Sequence, residues 1–127
     1  MAGEQVLVVE DNEKNMKLVR DVLQAKGYRT LEAASGEDAL ELAVAHEPDL
    51  VLMDVQLPGI DGLEALARLR ENRSTSAIPV LALTAQAMEG DRKRFLASGF
   101  DGYISKPVNV LELMAVVKQH CERGRDQ

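Results

Sequence analysis

The chain has 127 residues, a single cysteine and a formal net charge of −6 at pH 7, with 46% hydrophobic and 28% charged residues. That length fits one domain over residues 1–127, and the acidic balance, with two Tyr, two Phe and no Trp, argues against nonspecific nucleic-acid binding by basic clusters and stacking aromatics. No apolar run approaches the roughly 20 residues of a membrane helix, the N-terminus lacks the basic flank of a secretory signal, and Cys121 alone makes neither an internal disulfide nor a multi-thiolate site, so a cytoplasmic protein is expected.

Strand-like and helix-like periods alternate along the chain. Gln5-Val6-Leu7-Val8-Val9 reads as a strand running directly into Glu10-Asp11. Asn12 is placed to cap a helix in which Met16, Val19, Val22 and Leu23 form one face, ending at Gly27. Residues 28–34 alternate weakly, as an edge strand does. Ser35-Gly36-Glu37-Asp38 resembles a capping box, and Ala39, Leu40, Leu42 and Ala43 form a short helix that ends before Pro48. Leu50-Val51-Leu52-Met53 is an apolar run typical of a strand buried on both faces, and it ends in Asp54. The following Val55-Gln56-Leu57-Pro58-Gly59-Ile60-Asp61-Gly62 carries one Pro and two Gly, which fit a turn.

Asp61 opens a third helix with Leu63, Leu66 and Leu69 inward, up to about Asn72, and polar residues 73–76 follow as a loop. Pro79-Val80-Leu81-Ala82-Leu83 is a fourth strand, ending at Thr84, with its proline where a missing N–H is tolerated. A helix near residues 88–98 stops at Gly99 and precedes a short fifth strand, Gly102-Tyr103-Ile104, then Ser105-Lys106-Pro107. Asn109 caps the last helix, with Leu111, Met114, Val117 and Cys121 expected along its inner face. His46 and His120 lie on expected helices without ligand partners at useful spacing and read as solvated, as does the basic run Arg92-Lys93-Arg94.

Alternating β and α units predict an α/β fold with a doubly wound parallel sheet, whose ligands bind outside the carboxyl ends of the strands. The polar residues at those ends are Glu10, Asp11, Asp54, Thr84 and Lys106. Three carboxylates, a hydroxyl and an ammonium suit a phosphoryl group together with a hard cation. Mg²⁺ prefers an octahedron of oxygens at roughly 2.0–2.1 Å. In that division of labour Asp54 is the nucleophile, Glu10 and Asp11 hold Mg²⁺, Lys106 pairs with the phosphoryl group and Thr84 donates to it. Taken singly the residues have plainer uses. Asp54 can cap a turn, Glu10 and Asp11 can complement a helix dipole, Thr84 is a good strand former and Tyr103 a partly buried aromatic.

Val8-Val9-Glu10-Asp11-Asn12, Leu52-Met53-Asp54, Leu83-Thr84-Ala85 and Ser105-Lys106-Pro107, taken in order, resemble the receiver domain of bacterial response regulators over nearly the whole chain. Within that CheY-like superfamily the chain is most similar to DivK-like single-domain regulators, through Glu10-Asp11-Asn12-Glu13-Lys14-Asn15-Met16 and Tyr103-Ile104-Ser105-Lys106-Pro107. The resemblance implies a flavodoxin-like sheet of five strands in order 2-1-3-4-5 with five helices, and a single receiver domain without an output domain. It implies that Asp54 accepts a phosphoryl group from a phosphohistidine, that Glu10, Asp11, Asp54 and the Gln56 main-chain carbonyl bind Mg²⁺ or Mn²⁺, and that Thr84 and Lys106 sense the phosphate. Tyr103 is then the rotating aromatic and the Lys106-Pro107 bond is cis.

The expected partners are a sensor histidine kinase or histidine phosphotransferase, near Asn15 and Leu18 of the first helix, and a downstream protein target. The target is expected on the surface of the fourth helix, fifth strand and fifth helix, with Ala85, Ala87, Met88, Val110 and Leu113 as exposed apolar contacts. A monomer or a weak phosphorylation-dependent dimer is expected, acting as a signalling switch and not a turnover enzyme. A small-molecule phosphohydrolase is disfavoured because Gln56 stands where a second acid is needed. A flavin site is disfavoured because Glu10-Asp11-Asn12-Glu13 is acidic where a phosphate cradle is needed. A phosphorylation-independent protein-binding adaptor on the same fold is the remaining alternative.

Overall fold

The computed structural model describes residues 3–57, 59–85 and 89–125. Strands and helices alternate as β1 (Gln5–Val9), α1 (Glu13–Ala25), β2 (Arg29–Ala33), α2 (Gly36–His46), β3 (Leu50–Asp54), α3 (Gly62–Glu71), β4 (Val80–Thr84), α4 (Glu89–Ala97), β5 (Gly102–Ser105) and α5 (Val110–Arg125). All strand pairs are parallel, in the order β2-β1-β3-β4-β5. Strand order reverses at β1, which places helices on both faces of the sheet. On one side Ala39 and Ala43 of α2, Ala65, Leu66 and Leu69 of α3 and Phe95 of α4 pack against Leu7, Val9, Val51, Met53 and Ala82. On the other, Met16, Val19 and Leu23 of α1 and Leu113, Val117 and Cys121 of α5 pack against Val6, Val8, Leu50, Leu52, Leu81, Leu83 and Ile104. β3 and β4 are buried throughout, as residues 50–54 and 80–84 require. Each fully buried Leu or Val contributes about 1.5–3 kcal/mol through burial.

Helix starts follow the capping residues. Asn12 Oδ1 accepts from the N–H groups of Lys14 and Asn15, Ser35 Oγ from Asp38, Asp61 Oδ1 from Glu64 and Asn109 Oδ1 from Glu112. The last strand runs one residue further than its apolar core suggests, because Ser105 pairs with Thr84.

The inner face of α5 differs from the expected one. Leu111 is 75% exposed, whereas Leu113, expected as an exposed contact, is fully buried. At about 100° per residue, Leu113 lies one turn below Val117 and two below Cys121, while Leu111 lies about 120° round the helix from Val117. The same periodicity buries His120, seven residues after Leu113, which corrects its reading as solvated; His46 is exposed. Arg94 is exposed, yet its guanidinium sits 5.0 Å from the ring centre of Phe95, so it is not simply a solvated charge. Ala87 and Met88 lie outside the described residues.

At the rim carrying the strand N-termini one side chain joins several segments. Arg70, near the end of α3, donates to the carbonyls of Ser76 (3.0 Å), Ile78 (2.6 Å) and Gly99 (3.1 Å) and to Asp101 Oδ2 (2.9 Å). Asp101 Oδ2 also accepts from the Val80 N–H at 2.8 Å. The planar guanidinium, with five donors, suits this convergence of carbonyls and a carboxylate.

Candidate functional site

The opposite rim gathers the polar strand ends. Val9 is paired with Met53, so Glu10 and Asp54 emerge side by side from neighbouring strands. Asp54 is opposite Leu83 and Thr84 is opposite Ser105, which brings the end of β4 and Lys106 alongside. Glu10 and Asp54 are buried and Asp11 is exposed. One carboxylate oxygen from each of the three lies within 4.8 Å of the others.

Lys106 Nζ spans the two buried acids, at 2.8 Å from Asp54 Oδ2 and 2.7 Å from Glu10 Oε1. Its own N–H donates to the Thr84 carbonyl at 2.8 Å, which ties the segment after β5 to the end of β4. Asp54 Oδ1 accepts from the Gln56 N–H at 2.9 Å, and Glu10 Oε2 from the Asn12 N–H at 3.2 Å. Burial raises the Glu10 carboxyl above its ordinary range, and the Asp54 carboxylate adds to the shift against the opposing pull of Lys106 and the Asn12 N–H. For Lys106, burial lowers the ammonium, but hydrogen bonds and charge from Asp54 and Glu10 outweigh it and the net shift is upward.

The donors fit a hard divalent cation. Glu10 Oε1 is buried against the Lys106 ammonium at 2.7 Å, so a cation already sits among these carboxylates. Three carboxylates that close repel one another, and oxygen donors of this kind suit Mg²⁺ or a related ion.

Thr84 is buried beside this cluster, and Tyr103 is partly buried against the core on the α2–α3 side. The Lys106–Pro107 bond is cis. A cleft of about 610 Å³ opens from Glu10 and Asp11 between α1, β2 and α2, lined also by Lys17, Arg20, Glu32 and Asp38. Leu18 on α1 is 38% exposed, and Val110 and Leu111 at the start of α5 and Leu96 on α4 are exposed apolar residues, with Ala85 also exposed.

Sequence reasoning missed the residues that hold the backbone around Asp54. A Cβ on Gly62 would lie 2.5 Å from the Asp54 carbonyl oxygen and 2.8 Å from Val55 Cα, so no side chain fits there without displacing Asp54. The Gly62 N–H donates to the Val55 carbonyl at 2.9 Å. In the sequence Gly62 reads only as a turn residue beside Asp61, because its constraint comes from a strand end eight residues away.

The family model for the response regulator receiver domain matches residues 6–118. The chain belongs to the response regulator receiver family. The polar-differentiation response regulator DivK of Brucella ovis is 48% identical to this receiver over 115 residues, covering 91% of this chain and 94% of DivK, and its Brucella anthropi counterpart is 47% identical over the same coverage. Among solved structures, the receiver domain of a sensor histidine kinase from Pseudomonas aeruginosa PAO1, with a magnesium ion coordinated in its active-site cleft, is 35% identical. It has a TM-score of 0.88 and covers 95% of this chain and 99% of that one. The chemotaxis response regulator CheY4 of Vibrio cholerae is 28% identical with a TM-score of 0.88, covering 94% and 99%. This receiver is therefore DivK-like, with the five-stranded order of its relatives, and as part of a two-component system it works with kinase or phosphotransfer partners. Among the described residues no helix is long and apolar enough to cross a membrane.

Proposed function

We propose that Asp54 accepts a phosphoryl group from the phosphohistidine of a sensor kinase or histidine phosphotransferase, and that the modified receiver changes its contacts with a downstream protein. The observation that carries this reading is the bridge made by Lys106, whose ammonium meets Asp54 at 2.8 Å and Glu10 at 2.7 Å at the rim where the sheet opens. An ammonium so placed orients the Asp54 carboxylate and stands ready for the oxygens of an incoming phosphoryl group.

In the transfer, an Asp54 oxygen forms the new bond to phosphorus as the phosphorus–nitrogen bond of the donor imidazole breaks and its electron pair returns to the ring. The Gln56 N–H, bonded to Asp54 Oδ1, holds the carboxylate in orientation. Glu10 and Asp11, with Asp54 and the Gln56 carbonyl, are the residues that would hold Mg²⁺. The bound ion supplies positive charge against the phosphoryl oxygens. Lys106 is then the cation that pairs with the phosphoryl group, and the Thr84 hydroxyl is its hydrogen-bond donor.

A phosphoryl group adds negative charge and three acceptor oxygens to a rim already organised by charge. Near-complete population of a second state takes roughly 5.5 kcal/mol of differential stabilisation, which a few charge-assisted bonds supply. In this reading Thr84 and Tyr103 carry the change to the α4–β5–α5 surface, where Ala85 and Val110 are exposed. The protein is a switch that promotes its own modification, not a turnover enzyme.

Intact mass after incubation with acetyl phosphate and Mg²⁺ tests the reading. The wild type is expected to gain one labile phosphoryl group that needs Mg²⁺ and is lost in Asp54→Ala. No gain, under conditions that label a known receiver, would replace this reading with a phosphorylation-independent adaptor.

A further inference from the structure

The segment after Asp54 touches the acidic site on one side and α2 on the other. Gly36, the first residue of α2, is buried, and a Cβ there would lie 2.6 Å from Ile60 Cγ1 and 3.0 Å from the Ile60 carbonyl oxygen. At the next position the Glu37 carboxylate covers Gly59, whose φ is +74° and whose own added Cβ would meet Glu37 Oε2 at 2.7 Å. Helix propensity gives no reason for glycine at position 36, since alanine is the better helix former. The contact does: only without a side chain can the α2 backbone rest directly on Ile60. On the inner side the same segment is tied to the site by the Gln56 N–H bond to Asp54 and by Gly62, seated against the Asp54 carbonyl.

We propose that the first turn of α2, through Gly36 on Ile60 and Glu37 on Gly59, positions the segment after Asp54 and thereby sets the selectivity of the acidic site for Mg²⁺ over larger divalent cations. The inference rests on the Mg²⁺ site of the preceding section and extends it to residues that touch no ligand. Mg²⁺ demands near-ideal octahedral geometry and short bonds, whereas Ca²⁺ accepts longer bonds in flexible arrangements. A support that fixes a backbone carbonyl therefore matters more to the smaller ion. A methyl group on Gly36 would meet both the Ile60 side chain, at 2.6 Å from Cγ1, and the Ile60 carbonyl oxygen, at 3.0 Å, so side chain and backbone of Ile60 must both give way.

The test is a titration of the full-length protein with MgCl₂ and, separately, CaCl₂, followed by backbone amide shifts of Asp11 and Gln56. It compares wild type, Gly36→Ala, Ile60→Ala and the double variant. Gly36→Ala is expected to weaken Mg²⁺ binding about tenfold, as loss of a group supporting metal ligands does, with a smaller loss for Ca²⁺, so that the ratio of the two affinities falls. Ile60→Ala, which leaves a gap where the other variant makes a clash, is expected to lower the same ratio. The double variant removes the Ile60 side chain that the added methyl group would strike, and is expected to recover Mg²⁺ binding relative to Gly36→Ala. Unchanged Mg²⁺ affinity in a folded Gly36→Ala protein overturns the proposal, as does an equal loss for both ions. If Gly36→Ala does not fold, an unaltered ratio in Ile60→Ala has the same force. Failure of the wild type to bind Mg²⁺ at all would instead overturn the metal site itself, and this inference with it.

Discussion

Glu10 is a residue that the fold tolerates at a cost. Buried beside Asp54, its carboxyl is held above the ordinary range mainly by loss of solvent, with the neighbouring carboxylate adding to the effect. Because the folded chain then holds this proton to higher pH than the unfolded chain, its contribution to stability falls as pH rises from the ordinary carboxyl range through the raised value. Without divalent metal, Glu10→Gln is expected to melt above the wild type at pH 7 and to lose that advantage below the ordinary carboxyl range. Thermal melts in chelator at both pH values measure it. A wild type that remains the more stable at pH 7 would show that the ion pair with Lys106 outweighs burial. Adding Mg²⁺ is expected to raise the wild-type midpoint more at pH 8 than at pH 5, where protons compete for the ligand, and to have little effect on the Gln variant.

At this scale the proximity of Glu10, Asp54 and Lys106 was legible, because each follows an apolar strand and parallel strands end on a common rim. The ion pair of Lys106 with Glu10 was not. From the sequence Lys106 is simply a phosphate partner, and that it bridges two acids depends on side-chain lengths meeting at 2.7 and 2.8 Å. Gly36 and Gly62 were read as helix-start and turn glycines, since the atoms that exclude a side chain belong to segments distant in the chain.

Among the elements, α1 carries the exposed Leu18 and also contributes Lys17 and Arg20 to the cleft beside the acidic rim. Its capped start at Asn12 fixes this face relative to Glu10. Leu18→Arg is expected to leave labelling by acetyl phosphate unchanged and to slow transfer from a phosphorylated partner about tenfold, the loss of one ordinary interface contact of about 1.4 kcal/mol. Parallel rate measurements with the two donors distinguish docking from chemistry. Equal slowing with both would place Leu18 in the support of the site.

The helices show where periodicity suffices and where it does not. Met16, Val19 and Leu23 on α1 repeat cleanly and are buried as expected. In α5, apolar residues at 110, 111, 113 and 114 crowd the first turns, so more than one stripe satisfies the pattern. Continuing the register back from Val117 by four, which selects Leu113, and forward by three, which selects His120, gives the stripe that is buried.

Across the whole molecule, chemistry and cohesion occupy opposite rims of one sheet. The strand C-termini carry the acidic cluster, while at the N-terminal rim Arg70 joins α3, the segment before β4 and the approach to β5. Arg70→Met is expected to cost about 1–2 kcal/mol, because three backbone carbonyls and Asp101 lose a donor but part of that rim can rehydrate. Urea melts measure the loss, and Mg²⁺ affinity in the folded variant is expected to stay within about twofold of wild type, as distant sites are near-additive.

The buried carboxylate pair at Glu10 and Asp54 has an evolutionary consequence. Since burial beside Asp54 raises the Glu10 carboxyl, a lineage released from selection for the proposed phosphoryl transfer is expected to gain stability by replacing Glu10 with a neutral residue. Decay of such a receiver into a silent binding scaffold is thus a downhill path, whereas recovery of the chemistry has to climb against the stability of the fold.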